Sequence, residues 1–237
     1  MMSGLPSCHA YSNLSARDTL HRNSVSKETS KSMKRLLIGG AILAGLWLTF
    51  GRTKPPQVVE APPPAVVSAG SEREAPRQDS IARPHVFSMN GYELRTLAQF
   101  GLTARALSVT DYRMGRESDL SPLDIAFGWG RMSEPPVSDR LSISQSNRWY
   151  YWRFEGEPPI PPREIETSSA NMHLIPADAG VARALGKIRK GQIVKLSGYL
   201  VEIKAKDGWS WRSSMTRDDT GPGSCEVIFV QAVNASG

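Results

Sequence analysis

The chain has 237 residues, two cysteines and a formal net charge of +6. That length allows one domain with a substantial core, and two cysteines are too few for a disulfide framework. The positive charge does not predict a nucleic-acid partner, because from Arg83 onward 19 Lys and Arg stand against 17 Asp and Glu and the remaining excess lies in the first third.

Residues 1–32 are rich in Ser, Thr and Asn and show no apolar periodicity. They read either as a disordered cytoplasmic tail or as a mis-assigned start, since Met33-Lys34-Arg35 has the form of a short basic region opening a bacterial signal-anchor. An uncharged run follows over residues 36–50, so residues 33–51 are expected to form a transmembrane helix. At about 1.5 Å per residue this run spans roughly 22 Å, short of a comfortable crossing. Lys34 and Arg35 on one side, and Arg52 and Lys54 on the other, lengthen it by snorkelling, and Trp47 suits the interface. A cleaved signal peptide and a buried core helix are the rival readings. Leu48-Thr49-Phe50 followed by Arg52 is a poor peptidase site, which favours a retained anchor. Arg22, Lys27, Lys31, Lys34 and Arg35 precede the run, so the positive-inside bias puts the N-terminus in the cytoplasm. The rest of the chain then faces the periplasm from the bacterial inner membrane. Seven prolines punctuate residues 52–84, which read as a semi-rigid polyproline spacer.

Residues 85–237 are expected to form a β-rich domain. Residues 92–97 and 103–109 read as a strand pair around Gly101. Residues 121–127 read as a helix, with Ser121 as N-cap, Pro122 at the first helical position and Gly128-Trp129-Gly130 as the stop. Residues 148–154 and 171–175 read as strands. Pro176-Ala177-Asp178-Ala179 opens a short helix carrying Val181, Leu185 and Ile188, and Gly191 ends it. Residues 192–203 alternate as a long strand that Gly198 interrupts with a bulge or bend. Asp207-Gly208 signals a hairpin turn, residues 209–213 the returning strand, and residues 226–233 the last strand. The sum is an α+β domain dominated by antiparallel sheet, closed or partly closed into a small barrel.

The aromatic–basic strand supplies the binding candidates Arg148, Trp149, Tyr151, Trp152 and Arg153. Alternation puts Trp149, Tyr151 and Arg153 on one face and Arg148, Tyr150 and Trp152 on the other. Either face can stack sugar rings or bases with an arginine in reach, or else one face packs the core. His173 is the catalytic candidate, with Ser169 or Ser213 and Asp178 or Asp218 as partners; no nucleophile elbow accompanies it, and a structural histidine is the competing reading. No zinc spacing, Walker A loop or dinucleotide fingerprint occurs, so neither a metal nor a cofactor is expected. The acidic loops Arg116-Glu117-Ser118-Asp119 and Arg217-Asp218-Asp219 read as solvated turns rather than cation sites. Cys8 and Cys225 fall on opposite sides of the membrane in this topology, which makes Cys225 a lone thiol, read as a small buried hydrophobe against an intermolecular disulfide or a nucleophile.

From about Tyr112 to Val230 the chain resembles a group of bacterial single-pass envelope proteins that carry no assigned activity. The resemblance rests on Ser121-Pro122-Leu123-Asp124, Gly128-Trp129-Gly130, Ser144-Gln145-Ser146, Asn171-Met172-His173-Leu174-Ile175-Pro176 and Gly223-Ser224-Cys225-Glu226. It implies a short anchor, a proline-rich linker and an envelope location. The expected function is a non-enzymatic binding or assembly module, tethered to the inner membrane, with an envelope protein or glycan as partner. The alternative is an envelope hydrolase using His173 with a nearby Ser or Asp; single-strand nucleic-acid binding on a barrel face is the third reading.

Overall fold

One strand of 20 residues, β5 (Tyr92–Asp111), organises the domain. The two short strands expected around Gly101 are this single strand, and Gly101 does not turn. A Cβ there would lie 3.2 Å from the Ala69 amide nitrogen and from Val67 Cγ1, so glycine lets residues 67–69 cross close to the strand. The computed structural model describes residues 10–11, 56–217 and 224–237. The expected anchor at 33–51 lies outside the described residues, as does the tail apart from Ala10–Tyr11. Among the described residues no helix is long and apolar enough to cross a membrane.

Five strands pair in a ring. β5 pairs with β6 (Leu123–Gly128), β6 with β9 (Ser169–Pro176), β9 with β12 (Glu226–Ser236), β12 with β10 (Ile193–Lys204), and β10 returns to β5. Every pairing is antiparallel except β9 with β12. The ring interior is filled by alternate residues of each strand. Phe100, Leu102, Ala104 and Ala106 of β5 meet Ile125, Met172, Leu196 and Ile228 there. Helix α3 (Ala179–Leu185) adds Val181 and Leu185 to that core, with Ile188 following it.

Around this ring lie shorter elements. β2 (Val58–Val59) pairs with β4 (Val86–Met89), while β4 and β3 (Arg77–Ser80) pair with β5. β7 (Ser142–Ser146) and β8 (Trp149–Arg153) form a hairpin, and β1 (Ala10–Tyr11) runs parallel beside β8. β11 (Ser210–Arg212) pairs with the end of β10. Helical turns at α1 (Pro135–Ser138) and α2 (Pro162–Thr167) connect the hairpin to the ring.

Residues 121–127 were expected as a helix, and β6 occupies that position as a strand. All six of its residues are buried, because the ring core covers one face and the β7–β8 hairpin layer, through Ala126, covers the other. A strand covered on both faces loses its alternation, and a short apolar run then reads equally well as helix.

Gly198 sits at the irregularity expected of it. Ser197 pairs with Ala232 but Gly198 with Val230, which leaves Gln231 as the extra residue of a β-bulge on β12. The bulged side chain reaches the proline-rich stretch. Gln231 Nε2 donates to Pro62 O and Pro63 O, each at 3.1 Å, and Gln231 Oε1 accepts from Ala65 N at 2.9 Å. The Tyr199 hydroxyl donates to Pro63 O at 3.1 Å. Residues 56–84, expected within a semi-rigid spacer over 52–84, are therefore tied to the ring through Pro62, Pro63 and Ala65 and supply β2 and β3 to its sheet.

Candidate functional site

The tip of the β7–β8 hairpin places the first functional side chain. Asn147 and Arg148 join the strands with φ of 51° and 67°, the two-residue turn whose twist matches the flanking strands. Asparagine tolerates that left-handed conformation; an arginine there is uncommon and is held by its contacts. Its N–H donates to the Tyr112 hydroxyl (3.0 Å), and its carbonyl accepts from Asn171 Nδ2 (3.0 Å). Its guanidinium donates to Asp124 Oδ1 (2.8 Å), Ser121 O (2.9 Å) and Ser118 Oγ (3.1 Å). The guanidinium also lies 4.2 Å from the Tyr112 ring centroid and 5.9 Å from that of Trp211. Burial pushes the Tyr112 phenol pKa up, so this ring stays neutral.

Asp124 and His173 face each other directly across β6 and β9. Both are buried, at 0% and 3% exposure. His173 Nδ1 lies 2.9 Å from Asp124 Oδ2, but the N–H is off the line to that oxygen, so charge and dipole rather than an aligned hydrogen bond join them. One buried carboxylate thus serves Arg148 with one oxygen and His173 with the other. The His173 ring packs against Trp211, centroids 4.9 Å apart.

These groups wall a cavity of about 860 Å³, lined among others by Tyr112, Arg113, Arg148, Trp149, His173 and Trp211. That volume suits a ligand of drug-like size. Cys225 also lines it and is disulfide-bonded, where the sequence predicted a lone thiol; its partner lies outside the described residues.

Two loops are latched beside the cavity. Arg116, in the loop after β5, donates to Asp207 Oδ2 (2.7 Å) and Oδ1 (2.9 Å) in the turn after β10. It stacks 4.9 Å from the Trp209 centroid and 5.6 Å from that of Tyr92. The Arg116 hydrogen bonds hold the Asp207 carboxyl below the usual carboxylate range. The latch needs the deprotonated carboxylate, so it is present above that lowered pKa and lost as pH falls through it. The difference in tryptophan fluorescence between the parent and Asp207→Asn is therefore expected to persist from neutral pH down through the ordinary Asp value of about 4 and to vanish only below it. A transition near neutral pH that vanishes in Asp207→Asn would contradict this assignment.

The sequence candidates separate cleanly. Arg148, Trp149 and His173 line the cavity. Trp152, 1% exposed, points the other way with Tyr150 into the core beneath the hairpin, so the face expected to carry Arg148, Tyr150 and Trp152 is a packing face. Tyr151 is half-buried and Arg153 exposed, and neither lines the cavity. Arg148 escapes the alternation because the turn, not the strand, sets its direction.

Ser169 and Asp178 do not join His173. Ser169 is buried under the Tyr150 hydroxyl, which donates to it at 3.2 Å, and it donates to Ile165 O at 2.6 Å. Asp178 caps α3 by accepting from Gly180 N (2.6 Å) and Val181 N (2.9 Å). Ser213 is buried and donates to Ser214 O at 2.8 Å. Asp218 lies outside the described residues. Among the described residues no three His, Cys, Asp or Glu side chains are grouped to hold a metal ion.

Sequence reasoning passed over Tyr112, Asp124 and Trp211 as site residues. Asp124 had a signal: a carboxylate inside the apolar run 123–127 must find a buried partner. Compared with protein-family models, curated proteins and solved structures, the chain matches none.

Proposed function

We propose that this chain is a binding module of the bacterial envelope. Residues 33–51 tether it to the inner membrane, the domain faces the periplasm, and its ligand enters the cavity beside the β7–β8 hairpin. The observation that carries the reading is the pre-built wall: Arg148 is already held by Asp124, Ser118 and Ser121, and Tyr112, Trp149 and Trp211 stand beside it. A wall organised before the ligand arrives loses little entropy on binding.

Two further points support it. Taken in chain order, the ring strands β5, β6, β9, β10 and β12 neighbour one another first-second-third-fifth-fourth-first, with α3 between the third and fourth. We read this as the connectivity of an OB barrel, a fold that binds ligands on the face of its second and third strands and the loops beside it. The cavity lies on the β6–β9 face, between the loop after β5 and the segment after β10; this is an analogy of fold and not of activity. The disulfide at Cys225 suits an oxidising compartment such as the periplasm.

Two arrangements of the N-terminal residues compete. A tail kept in the cytoplasm by a single crossing at 33–51 leaves the β8 edge open, whereas Ala10–Tyr11 on β8 puts the tail on the same side as the domain and rules out a single crossing at 33–51. Protease treatment of spheroplasts separates them, and digestion of the domain only after lysis would sink the periplasmic assignment.

The binding reading is tested with a photocrosslinking residue in place of Tyr112 in the full chain, activated in intact cells. A defined envelope adduct that Trp211→Ala abolishes is the expected result. Adducts only to cytoplasmic components, or equal adducts from the exposed position Glu93, would overturn it.

The His173–Asp124 pair favours a second reading, an envelope hydrolase. Asp124 Oδ2 lies 2.9 Å from Nδ1 and leaves Nε2 for a water in the cavity; once that contact aligns, it is the arrangement of a general base with its orienting carboxylate. Its partner is then Asp124, not Ser169 or Asp178. His173→Gln would abolish turnover in that case; in the binding module there is no turnover to lose, and only ligand capture changes, through the contact with Trp211.

A further inference from the structure

The binding reading leaves the ligand open, and the chemistry of the cavity narrows it. We infer that the cavity takes an uncharged glycan chain, with sugar rings against Trp211 and Trp149, the two tryptophans that line it. This rests on the binding reading above and names its ligand class.

The first ground is an aromatic lining. Trp149 and Trp211 line the cavity, and Trp209, 6.2 Å from Trp211 and tilted 54° to it, extends the aromatic cluster under the Arg116 guanidinium. Tyr92 lies 5.9 Å from Trp209 on the side away from the cavity. Arg148 and Tyr112 continue the wall on the cavity side. Tyr92, Tyr112, Trp209 and Trp211 are all partly exposed, while Tyr92, Trp209 and Trp211 also pack on the core behind them. Such rings offer broad, rigid, half-polar area, which suits a chain of rings better than one small molecule.

The second ground is charge. The cations of the wall are neutralised internally: Arg148 by Asp124 at 2.8 Å, Arg116 by Asp207 at 2.7 Å and Arg212 by Glu202 at 3.2 Å. Three lining charges form no ion pair among the described residues, namely Arg113, Asp111 and Glu117. Two of these are carboxylates. A nucleic-acid strand binds by pairing free cations with phosphates, and this surface offers more free anion than cation. Carboxylates and the Asn147 amide at the rim instead accept and donate hydrogen bonds to hydroxyl and acetamido groups. Aromatic planes with neutral or acidic hydrogen-bonding edges are complementary to uncharged pyranose rings.

The test titrates the full chain in detergent with a tetramer of β-1,4-linked N-acetylglucosamine, with an oligothymidylate and with choline, following binding by calorimetry. Saturable binding of the saccharide is expected, weakened about tenfold or more in Trp211→Ala. Trp211→Phe keeps a stacking ring and is expected to retain most of the affinity, which guards against a misfolded alanine variant. Binding of the oligothymidylate or of choline in a Trp211-dependent way, without the saccharide, overturns the glycan assignment and leaves the binding reading standing. Failure of all three, together with a Tyr112 photoadduct indifferent to Trp211, overturns both.

Discussion

Asp124→Ala is expected to destabilise the domain by about 3–5 kcal/mol, the usual loss when one member of a buried charge pair is removed. The carboxylate is wholly buried and serves two partners 2.8 and 2.9 Å away. Without it the Arg148 guanidinium keeps only Ser118, Ser121 and the Tyr112 ring, and its charge, 15% exposed, has no counter-ion. The strained turn at Arg148 then loses the one ionic contact among those that hold it. Thermal denaturation followed by circular dichroism should show a fall in Tm of roughly 10 °C, taking about 2–4 °C per kcal/mol for a domain of this size. Asp124→Asn keeps the shape and one acceptor, and is expected to cost less. A melting curve for Asp124→Ala within 2 °C of the parent, about the effect of a neutral surface change, would show that the Asp124–Arg148–His173 group is not structural.

Gly198→Ala is expected to cost about 3 kcal/mol or more, measured by urea unfolding at constant slope. A Cβ at Gly198 would stand 1.9 Å from Phe229 O and 2.9 Å from its carbonyl carbon. Both are backbone atoms of the paired strand, so no side-chain rotation relieves the contact. β12 must move away from β10 at the bulge, and Gln231 moves with it. The contacts from Gln231 to Pro62, Pro63 and Ala65 are then strained, so the proline-rich stretch should become more sensitive to proteolysis in the same variant. An unchanged midpoint would mean that the ring is not closed at this point.

How much of this was legible depended on whether the cause was local. The bulge at Gly198, the short helix opening near Asp178, the Asp207-Gly208 turn and the strands on either side of that turn follow from residue type and spacing. Residues 121–127 did not, because covering both faces of β6 removes the period that separates strand from helix. The single long β5 was hidden by Gly101, whose purpose is the crossing of residues 67–69 rather than a turn. The proline-rich stretch has the composition of a spacer, and its docking depends on a bulged glutamine some 170 residues away in sequence. At the site, the aromatic–basic strand pointed to the right place for Arg148 and Trp149 and to the wrong side for Trp152. His173 was visible, but its partner was sought at Asp178, which caps a helix, and at Asp218. The true partner lies opposite it in the sheet, a relation that strand order creates and sequence distance conceals.

The central claim is that the cavity between the hairpin and the tryptophan wall is where this protein meets its ligand. The indole N–H signals of a nitrogen-15-labelled full chain test it most directly, recorded with and without enzymatically solubilised bacterial cell-wall material. Trp149, Trp209 and Trp211 should shift, while Trp129 and Trp152, both buried in the core, should stay in place. Stationary signals from the three wall tryptophans, or equal shifts of the buried pair, would contradict it.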